Sequence, residues 1–338
     1  MIELTYKREI ILKNDQIKKI LQKYFLLLLT QLFILSVYAD IYPSKPIKIV
    51  VPAPVGSAND LLVRTVADEL SKRLQQPIVI DNKAGAGAIL GSEIVAHSAP
   101  DGYTLLSANV VHAINGSVNK KLPFDPVNDF SAISLIGFTP SVLMATPSSG
   151  VATVQELILN ANKMPSDITY ATAGPGTAGH LSGELFNKAA KIKLSHIPYK
   201  GITQGITDAL GGHVQLILLF GPDAVPLYRT GKLKALAVTA PQRSSLLPEV
   251  PTFSELGYPM VELTAWYGFL GPAKLPPEII SRLNSELKQV LLDPRLKQKL
   301  SDLMFESQSS TPTELDALIR KNIIGFNQLA NEIGMKAD

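Results

Sequence analysis

The sequence contains no cysteine among its 338 residues. Disulfide bonds, thiolate metal sites, a cysteine nucleophile and a lipid-modified cysteine behind an export signal are therefore excluded. The five histidines are widely spaced, and no two of them stand four residues apart as in a zinc-binding helix. A P-loop, a G-x-S-x-G hydrolase motif and an H-E-x-x-H motif are also missing. We therefore expect no metal, no cofactor and no catalytic nucleophile.

The excess of basic residues lies at the N-terminus. The first 39 residues hold six of the 32 lysines and arginines but only three of the 29 aspartates and glutamates. These charges precede an apolar run at 24–35 and the segment Ser36-Val37-Tyr38-Ala39, an order that predicts a cleavable signal peptide at 1–39. A retained membrane anchor is the alternative, but the run is short for a bilayer span and contains Thr30 and Gln31.

The chain after residue 39 is formally neutral, with 26 acidic and 26 basic residues in about 299. Nothing in this balance resembles the basic stripes that bind a phosphate backbone, so we expect no nucleic-acid partner. The length and the 46% apolar content of the whole sequence favour two domains with a substantial core.

Strand-like and helix-like segments alternate through most of the chain, which predicts an α/β fold with mostly parallel sheets and helices on both faces. We expect strands at 47–51, 78–80, 103–106, 131–136, 142–145, 168–171, 194–198, 214–220, 233–239 and 261–269. Helices are expected at 61–74 with Asp60 as cap, 88–97, 154–163 and 202–210. Three further helices, near 277–291, 294–304 and 312–333, have no strand of their own and must pack on a domain formed earlier.

A glycine-rich turn joins the strand at 168–171 to the helix that follows it. Gly174, Gly176 and Gly179 match the dinucleotide pattern G-x-G-x-x-G, but no acidic residue occurs in 191–200, where the next strand should end in one. We therefore favour an anion cradle, in which glycines admit positive φ while Thr177 and helix N–H groups donate hydrogen bonds. An ordinary turn capped by Thr177 is the alternative.

Other candidates for contact with an anion are also polar residues near strand ends. The loop 52–59 lies between a strand and a helix, which is where open α/β sheets bind ligands. Hydroxyl donors are expected from Ser57, Ser107, Thr172 and Thr177, and an apolar wall from Tyr199 and Trp266. His180 either reaches a bound acid or, as a neutral imidazole, satisfies a loop carbonyl.

Seven segments in order make the sequence recognisable: YPSKPIKIVVP at 42–52, DGYTLL at 101–106, LPFDP at 122–126 with Asp129 and Phe130, YATAGPGT at 170–177 with His180 and Leu181, HIPYKG at 196–201, GKLKALAVT at 231–239 and LPEVPT at 247–252. In these segments the chain resembles the substrate-binding proteins of tripartite tricarboxylate transporters, the Bug family. The resemblance covers essentially all of the sequence after the predicted signal.

The resemblance implies a two-lobed periplasmic binding protein of type II-like fold, with two interlobe crossovers. Lobe 1 would combine 42–141 with 264–338, and lobe 2 would be 142–263. It also implies a monomeric, non-enzymatic receptor that captures a small carboxylate and delivers it to the permease subunits of a tripartite transporter. In the family, the carboxylate is held by the loops that correspond to 53–59 and 172–177.

Together, the residue pattern and the resemblance give these candidate ligand-binding residues: Ala53, Val55, Gly56, Ser57, Asn59, Ser107, Asn109, Thr172, Ala173, Gly174, Gly176, Thr177, His180, Tyr199 and Gly221. The first loop departs from the family pattern, with Ala53 for an aromatic residue, Val55 for proline and Ser57 for the second glycine. Gly221 stands where amino-acid-binding members can place an acidic residue. A cationic group on the ligand is therefore less expected, although Asp223 is near. A receptor that feeds a sensor, and an exported α/β enzyme acting on a small organic acid, remain open.

Overall fold

The computed structural model describes Lys18, Gln22, Lys23 and residues 42–119, 121–175, 177–199 and 201–332. The predicted signal peptide lies outside these ranges apart from those three residues, and Gly176 lies outside them too. From Lys45 onward the described chain forms one compact unit. In the described ranges, no helix has both the length and the apolar character that a membrane span needs.

The strands, in chain order, are β1 (Ile47–Val51), β2 (Ile78–Asn82), β3 (Thr104–Asn109), β4 (Phe130–Ala145), β5 (Thr169–Thr172), β6 (Ser195–Pro198), β7 (Leu216–Phe220), β8 (Lys234–Val238) and β9 (Thr264–Pro272). The α-helices are α1 (Ala58–Leu74), α2 (Ile89–Ala96), α3 (Val110–Val118), α4 (Val154–Lys163), α5 (Ala178–Ala190), α6 (Ile202–Leu210), α7 (Gly221–Arg229), α8 (Pro277–Leu292), α9 (Pro294–Asp302) and α10 (Pro312–Glu332). Short 3₁₀ helices lie at Ala86–Ala88, Pro147–Ser149 and Pro259–Val261.

One half of the sheet is built on three parallel strands in the order β2-β1-β3. Residues Ile47, Ile49, Val50 and Val51 of β1 are all fully or almost fully buried, as expected for a parallel strand covered on both faces. Strand β9 and the first part of β4 continue this half in the antiparallel direction. Because β1 and β3 are parallel, their carboxyl ends, and the residues that follow, lie at the same edge.

The other half has the same plan, with parallel strands in the order β6-β5-β7 and the antiparallel strands β4 and β8 beyond them. Its two faces have separate apolar cores. Leu143 and Leu218 belong to the core that contains residues of α4 and α5, whereas Met144 and Ile217 belong to the core that contains residues of α6 and α7. This alternation along β4 and β7 follows the two-residue period of a strand.

Strand β4 is continuous through both halves. Phe130–Pro140 pairs with β9, and from Ser141 onward β4 pairs with β7 and β8. The sequence predicts two strands here, at 131–136 and 142–145. In the structure Gly137 instead takes φ 157° at a register shift, so the strand bulges and goes on. A Cβ at this position would lie 2.8 Å from the Glu306 carbonyl oxygen, which explains the glycine.

Three chain segments meet where β4 changes partners. The Thr239 hydroxyl donates to the Leu263 carbonyl at 2.7 Å, and its N–H donates to the Ser141 carbonyl at 2.9 Å. The Thr139 hydroxyl donates to the Met304 carbonyl at 3.0 Å. We call this meeting point the crossing region; it comprises Thr139, Pro140, Ser141, Thr239, Leu263, Thr264 and the residues 304–306.

The three C-terminal helices pack on the half of the sheet that contains β1. Helices α8 and α10 both contact β4, and α8 also contacts α1. Arg73 of α1 forms an ion pair with Glu286 of α8 at 2.6 Å, and Trp266 of β9 donates from Nε1 to Asn322 of α10 at 2.8 Å. The segments without strands of their own therefore cover a sheet formed by earlier residues, as the sequence predicts.

Two helices and one cap differ from the sequence-based expectation. Helix α1 begins at Ala58 with Ser57 as its cap, so the prediction of Asp60 as cap is wrong. Helices α3 and α7 were not predicted, because each begins immediately after a strand, without a separating loop. Pro222 occupies the first turn of α7, where a missing N–H costs no helical hydrogen bond.

Candidate functional site

The first predicted ligand loop, residues 52–59, is fastened by the carboxylate of Asp60. This residue lies in the first turn of α1 and is 1% exposed. Its Oδ2 accepts from the Gly56 N–H at 2.8 Å, and its Oδ1 accepts from the Asn82 side chain at 2.9 Å. Arg64 donates from Nε to both oxygens at 3.0 Å. Hydrogen bonds from three directions thus fix the loop to α1 and β2.

The Asp60 carboxylate is held ionised by these partners. Burial alone would raise the pKa of Asp60, but the hydrogen bonds from Arg64, Gly56 and Asn82 bring that pKa below its ordinary value. The carboxylate is fully occupied within the protein. Asp60 therefore shapes the loop and is not positioned to act as an acid or to bind a ligand cation.

The tip of this loop is open to solvent. Val55 is 72% exposed, and Gly56 has φ 79°, with open space where a Cβ would stand. Ser57 accepts at Oγ from the Asp60 N–H at 3.3 Å as the helix cap. The Ala53 carbonyl accepts from Asn82 at 3.1 Å. This loop therefore presents the apolar side chain of Val55 at its tip and the first N–H groups of α1.

Hydrogen bonds connect β1 and β3 with the helices that follow them, through Asn59, Ser107 and Asn109. Ser107 is fully buried and donates from Oγ to Asn59 Oδ1 at 2.6 Å, while Asn59 Nδ2 donates to the Ser107 carbonyl at 3.3 Å. Asn109 caps α3, because its Oδ1 accepts from the Val111 N–H at 2.9 Å. The Ser107 hydroxyl, predicted as a donor to the ligand, is therefore buried and donates to Asn59 instead.

The second predicted ligand loop, residues 172–177, closes on itself. Gly174 has φ 121° and donates its N–H to Thr172 Oγ1 at 3.2 Å. The Gly174 carbonyl accepts from Thr177 Oγ1 at 2.7 Å, and Thr177 also caps α5 by accepting from the His180 N–H at 3.5 Å. Ala173 at the turn is exposed. Gly176, predicted with these residues, lies outside the described ranges.

Both threonine hydroxyls of this loop are thus engaged within the protein. The N–H groups of Ala178 and Gly179, in the first turn of α5, have no carbonyl four residues earlier within the helix to bond. The loop presents the positive end of α5, with no cationic side chain in 172–180. The hydroxyls that the sequence predicts as ligand donors thus bond within the protein, and the anion cradle stays a prediction.

Three stacked rings lie next to the second loop. His196 lies between Tyr170, at 5.0 Å, and His180, at 4.1 Å between ring centroids. Burial and the neighbouring His180 lower the pKa of His196 to about 4, so the ring is neutral near pH 7. Its Nε2, 2.6 Å from Thr172 Oγ1, is therefore free of a proton in one tautomer and able to accept from that hydroxyl.

The two predicted aromatic wall residues have other partners. Tyr199 donates its hydroxyl to Asp208 of α6 at 2.7 Å and its N–H to the Thr172 carbonyl at 3.1 Å. Burial and Asp208 raise the pKa of Tyr199 to about 12, so the phenol stays protonated. Trp266 is 3% exposed and faces α10 through Asn322. Tyr199 thus borders the loop, whereas Trp266 belongs to the core.

Gly221 begins α7 at the point where β7 reaches the crossing region. A Cβ on Gly221 would lie 2.6 Å from Thr139 Oγ1 and 3.0 Å from the Met304 carbonyl. The missing side chain thus permits close packing of α7 on this region. Two residues later, Asp223 is exposed. Burial raises the pKa of the Tyr267 phenol on β9, and the charge of Asp223 raises it further.

The structure brings the two predicted loops to corresponding edges of the two half-sheets. The loop 52–59 and Asn109 follow β1 and β3, and the loop 172–177 and Gly221 follow β5 and β7, in each case at the carboxyl ends of parallel strands. Helices α3 and α5, which begin at these edges, contact each other across the two halves. Within the described ranges, no three histidine or acidic side chains form a group able to hold a metal ion.

Comparison with known proteins gives similar sequences and similar structures. Residues 62–335 match the model of the tripartite tricarboxylate transporter family receptor. Protein BugT of Bordetella pertussis is 32% identical over 302 residues, covering 89% of this chain and 93% of BugT.

Two solved structures share the fold along nearly their whole length. The periplasmic binding protein BugD superposes with a TM-score of 0.75 at 30% identity, covering 87% of this chain and 99% of BugD. R. palustris Rpa4515 with adipate superposes with a TM-score of 0.77 at 31% identity, covering 87% and 98%. The fold is therefore that of a two-lobed periplasmic binding protein, and the chain belongs to the tripartite tricarboxylate transporter receptor family.

Proposed function

We propose that the protein is an exported receptor that binds a small carboxylate between two lobes and delivers it to a membrane permease. Lobe 1 comprises 42–141 and 264–338, and lobe 2 comprises 142–263. The observation that supports the proposal is that the loops 52–59 and 172–177 each follow the carboxyl end of a parallel strand, in two half-sheets whose helices α3 and α5 contact each other. The similarity to a structure that holds adipate supports a carboxylate as ligand.

The ligand carboxylate is bound chiefly by backbone donors. Helices α1, α3, α5 and α7 each start at the carboxyl end of a parallel strand, and helix N-termini attract anions through N–H groups and the helix dipole. The hydroxyls of Ser107, Thr172 and Thr177 hold the loops in shape. Recognition by backbone donors fits the lack of a free cationic side chain in either loop: within 52–59 and 172–177 the sequence has no lysine or arginine.

The crossing region serves as the hinge. Binding closes the lobes by small changes of backbone angle in the few residues that connect them. The hydrogen bonds of Thr239 and Thr139 keep the connecting segments together while the lobes move. The ligand becomes enclosed by loops from both sides, and no covalent step is needed.

The direct test is calorimetry of the purified protein against organic acids, namely succinate, malate, glutarate, adipate, glutamate, aspartate and benzoate. We expect stoichiometric binding of at least one acid and no change in that acid when the mixture is analysed by mass spectrometry after hours. Steady product formation would favour the exported enzyme, and the absence of binding to every carboxylate would overturn the proposal.

Delivery and export need separate tests. Cells that express the full chain should yield a periplasmic protein whose mass corresponds to cleavage after Ala39. Deletion of the gene should abolish uptake of the bound acid, and the uptake should return with the full-length gene. Normal uptake combined with a lost transcriptional response to the acid would instead favour a receptor that feeds a sensor.

A further inference from the structure

A side chain outside both ligand loops, His196 of β6, contacts the second of these loops. Strands β5 and β6 are parallel neighbours, and His196 pairs with Tyr170 in their register. Tyr170 and Thr172 are two residues apart in β5, so their side chains lie on the same face of the sheet. The His196 ring stacks on Tyr170, and its Nε2 lies 2.6 Å from the Thr172 hydroxyl, where the loop 172–177 begins.

The Thr172 hydroxyl has one hydrogen to donate and two acceptors within reach. His196 Nε2 is at 2.6 Å, whereas the Gly174 carbonyl oxygen is at 3.3 Å, which is longer than is usual for a hydroxyl donor. The Gly174 carbonyl already accepts from the Thr177 hydroxyl at 2.7 Å. The distances therefore direct the Thr172 hydrogen to His196.

The same distances select one tautomer of the His196 ring. The ring is neutral near pH 7, so only one of its two nitrogens carries a proton. With that proton on Nε2, the Thr172 hydrogen would have only the long contact to Gly174. Thr172 is 1% exposed, and a buried hydroxyl needs a partner within the protein. His196 therefore accepts at Nε2 and carries its proton on Nδ1.

His196 is the last acceptor in a chain of hydrogen bonds that begins at helix α5. The His180 N–H donates to the Thr177 hydroxyl at 3.5 Å, and that hydroxyl donates to the Gly174 carbonyl. The Gly174 N–H donates to the Thr172 hydroxyl at 3.2 Å, and Thr172 donates to His196. Gly174 has φ 121°, in the region that favours glycine, so the turn is held in an uncommon conformation by these bonds.

We propose that His196 is a positioning residue for ligand binding, because by accepting from Thr172 it holds the turn at 172–174 and, through Thr177, the start of α5. The inference rests on the proposed function, in which the first N–H groups of this helix bind the ligand carboxylate. Without the acceptor, the Thr172 hydrogen turns to the Gly174 carbonyl and competes there with Thr177. The turn relaxes, and the affinity for the acid falls without any contact between His196 and the ligand.

Two substitutions separate the acceptor of His196 from its ring. His196→Phe keeps a ring between Tyr170 and His180 and removes the acceptor, whereas His196→Gln keeps an acceptor and removes the ring. Calorimetry against succinate, malate, glutarate, adipate, glutamate, aspartate and benzoate gives the Kd of each purified protein. For every acid that the parent binds, we expect His196→Phe to bind about tenfold more weakly and His196→Gln to stay within about threefold of the parent.

Tyr170→Phe is the matched control on the other side of the ring stack. Tyr170 is fully buried and donates its hydroxyl to Glu184 of α5 at 2.6 Å, so this variant also removes one buried hydrogen bond near the loop. Its Kd should stay within about threefold of the parent, because that bond is not part of the chain that ends at His196. Thermal unfolding checks that every variant is folded, and His196→Leu replaces His196→Phe if the phenylalanine variant is not.

Three results would each overturn the inference and leave a carboxylate receptor in place. They are a Kd of the variant without the acceptor within about threefold of the parent, an equal loss of affinity in Tyr170→Phe, and a loss in His196→Gln as large as in His196→Phe. Failure of the parent protein to bind any of the acids would instead overturn the proposed function, and the inference with it.

Discussion

At the scale of single residues, most polar side chains of the candidate site support the backbone. Ser107, Thr172 and Thr177 were predicted as donors to the ligand, yet each donates to, or lies within hydrogen-bond distance of, another group of the protein. A sequence shows that a hydroxyl is near a loop but not which way it turns, because that depends on partners distant in the chain. His196, 24 residues from Thr172, is such a partner.

The stability of the protein should depend on pH through His196. Its pKa in the folded protein, about 4, lies below the ordinary value of 6.5. Between these values the unfolded chain binds a proton that the folded protein does not, so acid favours unfolding. We expect the free energy of unfolding to be constant above pH 6.5 and to fall as the pH decreases from 6.5 towards 4, measured by urea titration at each pH.

The His196→Gln variant tests how much of that pH dependence comes from the His196 ring. His196→Gln keeps an acceptor for Thr172 and removes the titrating group, so the decline below pH 6.5 should become shallower. His112, whose pKa burial lowers to about 4, and His180, whose pKa burial also lowers, keep part of the decline. His97→Gln, at an exposed position after α2, should leave the curve unchanged. Identical curves for His196→Gln and the parent protein would exclude His196 as the source.

At the scale of elements, the sequence predicts the strands and helices that have loops between them, but it does not predict the helices that begin directly after a strand. Helix α7 was missed because Gly221 follows Phe220 of β7 without a gap. The sequence predicts two strands, 131–136 and 142–145, where the structure has the continuous β4, whose bulge at Gly137 serves the approach of Glu306. Local patterns cannot show such an approach, because Glu306 is far away in the sequence.

The stability of helix α1 and of the loop 52–59 should depend strongly on Asp60, although Asp60 is not the cap of the helix. Asp60→Asn removes the charge that Arg64 and the Gly56 N–H bind, so we expect a loss of about 1.5–3 kcal/mol in the free energy of unfolding. Binding of the carboxylate ligand should weaken as well, because the loop 52–59 loses its anchor. Urea unfolding and calorimetry measure the two effects.

Asp316→Asn is the comparison for this change. Asp316 also pairs with an arginine four residues later, Arg320, at 2.7 Å, but both side chains are about half exposed. An exposed pair contributes about 0–1 kcal/mol, so this variant should be nearly neutral. Equal losses in the two variants would show that the helical pair, and not the buried hydrogen bonds of Asp60, determines the effect.

At the scale of the whole molecule, the two lobes should approach each other when ligand binds. Small-angle scattering should show a smaller radius of gyration with a saturating carboxylate than without it. Thr239→Val removes the hydroxyl that bonds Leu263 in the crossing region. We expect this variant to bind the same acids with altered affinity, because the balance between open and closed forms changes. A radius of gyration that does not respond to ligand in either protein would argue against closure.

The position of β9 has a consequence for how the polypeptide matures. This strand is inserted between β3 and β4, although more than a hundred residues separate it from either in the sequence. The sheet that contains β1 therefore stays incomplete until the ribosome has made nearly four fifths of the chain, and contacts this distant form slowly. The half of the sheet that contains β5 has all its strands once Val238 is made, so its strands are complete at an earlier stage of synthesis than those of the half that contains β1.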